Sequence, residues 1–213
     1  MKKIALYLCL LTLCSVTLLA QTRGTRIVHT KEKSGIHVPA QEAPVGLTKI
    51  YNNLGKKTDA YYDQSGWFIG GSYRVSIAIP FTPKLDSHVS QVQAAIQYAG
   101  FGANQVDLSV WSDNNGVPSG RLAGPVTVTN LPVTGTCCTL AVANFPPFAV
   151  TAGTKYWLVA GVPLNGPGSD FQGLWAFVPK IVPFAESLQA LNDSWTAMSA
   201  NDLPAGAVLG TIP

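Results

Sequence analysis

The chain has 213 residues, of which only 12% are charged, against a typical ~25% for soluble domains. Its formal net charge of +3 is unevenly spread: residues 21–57 carry +5, whereas residues 58–213 carry −4. A sparsely charged and net acidic body excludes the dense basic face that phosphate neutralisation needs, so no nucleic-acid partner is expected.

The first twenty residues read as an export signal. Lys2 and Lys3 form a short basic start, Ile4–Ala20 runs seventeen residues without a charge, and Ala20 places a small residue before Gln21 as a cleavage point. Seventeen residues fall short of the ~20 that a spanning helix needs, which favours cleavage over anchoring. Leu13 stands where a small residue should precede Cys14 if that thiol were lipidated. No later stretch is long and apolar enough to span a membrane, so the expected location is secreted, periplasmic or extracellular.

Residues 21–57 combine seven Lys/Arg with Gly24, Gly35, Pro39, Pro44 and Gly46 and show no sustained periodicity. They read as a poorly ordered, solvated leader that adds one strand near Leu47–Tyr51. Residues 58–213 change texture: apolar residues alternate with period two, and turn residues recur about every ten positions. Tyr73, Val75, Ile77, Ile79 and Phe81 form one such run. Val92, Ala94, Ile96 and Tyr98 form the next, with Gln91, Gln93 and Gln97 on the opposite face. Val106, Leu108 and Val110 follow, interleaved with Asp107, Ser109 and Trp111. Val126 with Val128, and Cys138, Leu140 and Val142, predict two short strands. Tyr156–Val162 and Leu174–Val178 are apolar on both faces and predict central, doubly covered strands. Glu186–Leu191 has a helical character, and Ala207–Ile212 closes the chain. The pattern predicts an all-β domain, an antiparallel two-sheet sandwich of jelly-roll-like type.

Several motifs carry competing chemical readings. Asp113, Asn114 and Asn115 before Gly116 gather oxygen ligands suited to Ca²⁺, and the same residues suit a tight turn. No other cofactor is implied. Five tryptophans raise the question of sugar stacking. Trp157 and Trp175 lie in doubly apolar strands and read as core, whereas Trp111 is out of phase with Val106, Leu108 and Val110 and should face away from them. Trp111 with Asp113 and Asn115, then Trp195 beside Asp193, are therefore the candidate ligand contacts, with packing under a loop as the alternative. After loss of the signal only Cys137 and Cys138 remain, and they either form a vicinal disulfide or stay as two thiols. Leu131-Pro-Val-Thr-Gly135 spells a sortase signal, but 78 residues follow it, so a turn is expected. Catalytic groups are scarce: His88 beside Asp86 and Ser87 lacks a nucleophile elbow, and only Asp107, Asp113, Asp170 and Asp193 offer paired carboxylates.

The stretch VDLSVWSDNNGVPSGRL at Val106–Leu122, TAGTKYWLV at Thr151–Val159, Leu174–Phe177, Trp195 and Gly206–Gly210 together resemble the exported β domains called choice-of-anchor R. The resemblance spans about residues 60–211 and implies an exported β-sandwich with no established activity. The chain departs from that pattern at Gly210-Thr-Ile-Pro213, where neither an apolar tail nor a basic cluster follows. The expectation is a non-enzymatic module for adhesion or glycan contact at or outside the cell surface, its partner an extracellular glycan or envelope surface. A purely structural exported domain is the alternative, and a carboxylate-dependent glycoside hydrolase the third.

Overall fold

The computed structural model describes residues 43–54, 66–136, 139–163, 165–188 and 194–213, with backbone alone at 179–188 and 199–202. Residues 1–20, expected to be an export signal, most of the leader, Cys137, Cys138 and Asp193 lie outside the described residues.

Twelve strands follow in chain order: β1 (Thr48–Asn52), β2 (Gly66–Gly70), β3 (Val75–Phe81), β4 (Ser87–Ala94), β5 (Ile96–Phe101), β6 (Gln105–Asn114), β7 (Val117–Thr129), β8 (Ala141–Val150), β9 (Tyr156–Gly161), β10 (Gln172–Leu188), β11 (Trp195–Pro204) and β12 (Gly206–Thr211). No helix occurs among the described residues. A four-stranded sheet runs β1-β12-β4-β8, and an eight-stranded sheet runs β11-β10-β2-β3-β9-β6-β7 with β5 beside β10. Their strand pairs are antiparallel, and neighbours such as β1–β12 and β3–β9 are far apart in sequence, as a crossed sandwich requires.

The two sheets enclose one main core. Ile77, Ile79 and Phe81 from β3, Val89 and Val92 from β4, Val106, Leu108 and Val110 from β6, and Val208 from β12 are nearly or fully buried in it. Trp175 lies at its centre with no exposed surface, and its indole N–H donates to the Ala205 carbonyl at 2.8 Å. A buried Trp without an acceptor would leave a polar group unpaired, so this bond is what permits an indole there.

Several sequence expectations need correction. Tyr73 and Arg74 belong to the turn before β3, where Arg74 has φ 48°, and Tyr73 is exposed. The expected single strand over Val92–Tyr98 divides at Ala95, whose N–H donates to Ala205 and whose carbonyl accepts from Ala176. Gln91 and Gln93, on the face opposite Val92 and Ala94, and Gln97 are buried as well. Gln93 donates to Gln91 at 2.9 Å and Gln91 to Asn144 at 2.8 Å, so amides are satisfied by one another. In β8 the inward set is Ala141, Ala143 and Phe145, while Val142 is exposed, so the expected phase was one residue off. Glu186–Leu188 is strand, because its backbone pairs with β3 on one side and β11 on the other. Tyr156–Gly161 is buried throughout, as expected of a strand covered on both faces.

The larger sheet does not stay open. β7 and β11 stand at opposite ends of its strand order and nevertheless touch. The sheet therefore rolls, its face away from the main core becoming concave at one end. Bulges in β6–β7 and β10–β11 supply the bends.

Candidate functional site: an indole cluster on the rolled face

The concave face carries a second apolar cluster, separate from the main core. Ala78, Trp157 and Val159 are buried there, and Trp111 and Trp195 pack against them half-exposed. Strand register explains the meeting. Trp111 in β6 lies opposite Trp157 in β9, and Ser109 lies opposite Val159; Val159 in turn faces Ala78 of β3. Residues directly opposite share a face, so these side chains form one patch. Trp195, at the start of β11, reaches the same patch from the far end of the sheet order through the roll. Its ring meets Trp111 edge-on, with centroids 6.1 Å apart and planes at 74°.

Polar atoms hold the rings in place. The Trp111 indole N–H donates to Ser109 Oγ at 2.8 Å, and the Trp157 indole N–H donates to Asp113 Oδ1 at 2.8 Å. The other carboxylate oxygen, Asp113 Oδ2, accepts the Gly116 N–H at 3.3 Å. Asn115 and Gly116 have φ of 53° and 88°, the two left-handed positions of a two-residue type I′ hairpin turn, with Asn114 opposite Val117. Asp113 thus ties the tip of the β6–β7 hairpin to a buried indole.

The structure separates the sequence candidates. Trp111, Asp113 and Trp195 come together, with Trp111 facing away from the main core as its phase predicted. Asn114 and Asn115 are exposed on the hairpin and meet the cluster only through the backbone they shape. For Asp113–Asn115 the geometry is that of the turn, both Asp113 oxygens being engaged by the protein. Among the described residues no three His, Cys, Asp or Glu side chains gather as a metal site.

The carboxylates considered for hydrolysis are spread out. Asp107 accepts from Thr127 Oγ1 at 2.7 Å across β6–β7 and Asp170 from the Ala103 N–H at 3.0 Å, while Asp193 lies outside the described residues. Asp107 and Asp113 are six residues apart on one strand, roughly 20 Å at the usual rise. Glycoside hydrolysis uses carboxyl groups ~5–10 Å apart. His88 is exposed, opposite Thr211 and Ala149.

Three members escaped sequence reasoning. Trp157 is core-like in burial, at 2% exposed, but belongs to the rolled face. Its phase with Val159 rather than Leu158 carried that signal. Arg121 sits opposite Trp111 in register, and exposed Lys155 precedes Trp157 by two residues. No alternation reveals such cross-strand neighbours.

No family model matches the chain, and no curated protein or solved structure is significantly similar to it. The site is therefore read from its own geometry.

Proposed function

We propose that the protein is an exported, non-catalytic β-sandwich module that contacts glycans through the Trp111–Trp195 surface on the rolled face of its larger sheet. The observation that carries this reading is the half-exposed indole pair Trp111–Trp195 on a concave face, with Trp111 fixed by its bond to Ser109: aromatic faces stack on the apolar faces of sugar rings. Preorganisation supports it further, because the Ser109 and Asp113 bonds fix Trp111 and Trp157 before any ligand arrives. The signal-like segment Lys2–Ala20 and the resemblance of the motif order to choice-of-anchor R domains support action outside the cytoplasm.

A second reading has one observation in its favour. The indole N–H groups of Trp111 and Trp157 are satisfied inside the protein, as they would be in a small auxiliary core serving only stability. A glycan array with the purified exported protein, repeated with Trp111→Ala, separates the two. Binding that Trp111→Ala abolishes supports glycan contact. An array without binding, or binding unchanged by the substitution, overturns it in favour of the structural reading.

A further inference from the structure

The charge around Trp111 contrasts with the rest of the domain. Residues 58–213 contain five basic and nine acidic residues. Two of those five lie near Trp111: Arg121 opposite it in register, and Lys155 one step beyond the Ser112–Tyr156 pair, level with Asp113. Arg121 is exposed on β7 directly opposite Trp111, on the β7 side of β6. Lys155 is exposed at the entry to β9, two residues before Trp157, which lies opposite Trp111 on the other side. Among the described residues no hydrogen bond or ion pair occupies either cation. Asp113 is the nearest carboxylate along β6, and both its oxygens are already taken, by the Trp157 indole and the Gly116 N–H. Asp107 is four residues from Trp111, roughly 13 Å along the strand, and accepts from Thr127.

We infer that this strip takes an acidic polysaccharide bearing carboxylates, a uronic acid ring stacking on Trp111 while its carboxylate pairs with Arg121. This rests on the reading of Trp111 as a glycan contact. A free guanidinium beside a fixed aromatic face presents a planar donor fork, which matches a planar carboxylate through two parallel hydrogen bonds. Lys155 adds a point charge on the opposite flank, where the next acidic sugar of the chain lies. An anionic polymer is otherwise repelled by a domain of net charge −4, so it docks where Arg121 and Lys155 together outweigh the single Asp113 charge.

The test measures binding of polygalacturonate, dextran sulfate and a neutral cellulose oligosaccharide by the wild-type protein and by Arg121→Gln, Lys155→Gln and Trp111→Ala. Arg121 and Lys155 are exposed, so their substitution leaves the fold intact, which circular dichroism checks. Polygalacturonate is expected to bind best; Arg121→Gln weakens it by roughly tenfold or more, and Lys155→Gln by less, as loss of a charge-assisted hydrogen bond predicts. Affinity falls with added salt. Unchanged polygalacturonate binding by Arg121→Gln overturns the inference. So does dextran sulfate binding as tightly with the same dependence on Arg121, which makes bulk charge the determinant. Binding of the neutral oligosaccharide alone, lost with Trp111→Ala, also overturns it but leaves the proposed function standing. Binding of none of the three polymers overturns both.

Discussion

Removal of the Asp113 carboxylate tests how the indole cluster is held. In Asp113→Ala the Trp157 N–H loses its acceptor while its residue is otherwise only 2% exposed, so water reaches it only through the gap left by the half-exposed carboxylate. An unpaired buried donor costs about 1–3 kcal/mol. Loss of the Asp113–Gly116 turn bond adds about 0.5–1 kcal/mol, since that contact is long at 3.3 Å and half-exposed. The expected destabilisation is therefore about 2–4 kcal/mol, a Tm decrease of several degrees for a chain of this size. Asp113→Asn keeps an acceptor oxygen and should cost less than half as much. Trp157→Phe removes the donor, and half-exposed Asp113 then rehydrates, so its penalty is mostly lost packing. Urea denaturation of the two single variants and the double variant closes a thermodynamic cycle, and a coupling of about 1.5–3 kcal/mol is expected for a bond to a charged acceptor. A coupling below about 0.5 kcal/mol would refute the argument that this bond fixes the cluster. Millimolar calcium should leave Tm unchanged, because both Asp113 oxygens are engaged; a rise of several degrees would return the hairpin to the metal-binding reading.

Two further outcomes follow from the geometry. Burial pushes the Tyr51 hydroxyl well above the usual tyrosine value, so the phenolate is disfavoured in the folded state. The stability this contributes is complete below about pH 10 and declines as pH rises above that unfolded-state value. Urea midpoints at about pH 8 and pH 11 should diverge in the wild type and less so in Tyr51→Phe; equal losses would remove Tyr51 as the cause. Gly70 and Gly116 have similar φ, 84° and 88°, but a Cβ at Gly70 falls on the Phe171 carbonyl oxygen, whereas at Gly116 nothing lies within 4 Å. Gly116→Ala should cost about 1 kcal/mol for the left-handed backbone alone, and Gly70→Ala more than twice that, because backbone atoms cannot yield. Equal costs in denaturation would show that the Phe171 contact is relieved by movement.

Most of the sandwich was legible because its signal is local. In β6 and β3 the residues facing the main core are apolar at every second position, and the spacing of Pro, Gly and Asn placed the turns. The misreadings have separate causes, the first being that alternation reports polarity rather than burial. Gln91 and Gln93 are polar yet buried, because Gln93 donates to Gln91 two residues before it and Gln91 donates to Asn144, a neighbour only in the folded sheet. The segment from Glu186 resembled a helix because it lacks clean alternation, and its partners in β3 lie more than a hundred residues away. Long-range pairing overrides weak local preference there. Val142 misled the phase of β8 because a short run offered too few positions to choose between two registers.

The candidate site was legible in half. Trp111 could be set apart from its own strand's core by phase alone, and Asn115-Gly116 could be assigned to a hairpin turn by conformational preference. What gathers the site, however, is a property of the whole sheet. Trp195 begins β11, one end of a strand order whose other end is β7, and it reaches Trp111 only because the two ends meet. That rolling goes with register shifts in β6–β7 and β10–β11, where one strand carries residues that its partner does not match, as bulged strands bend. A bulge leaves no compositional mark, and neither does the register that sets Arg121 against Trp111. The two facts on which ligand choice turns, a concave aromatic face and a cation beside it, are both consequences of cross-strand geometry. An array result for Trp111→Ala, read beside the Asp113 cycle, therefore tests the roll itself: if the cluster is as rigid as its hydrogen bonds imply, loosening Trp157 through Asp113→Ala should weaken glycan binding with both Trp111 and Trp195 still in place.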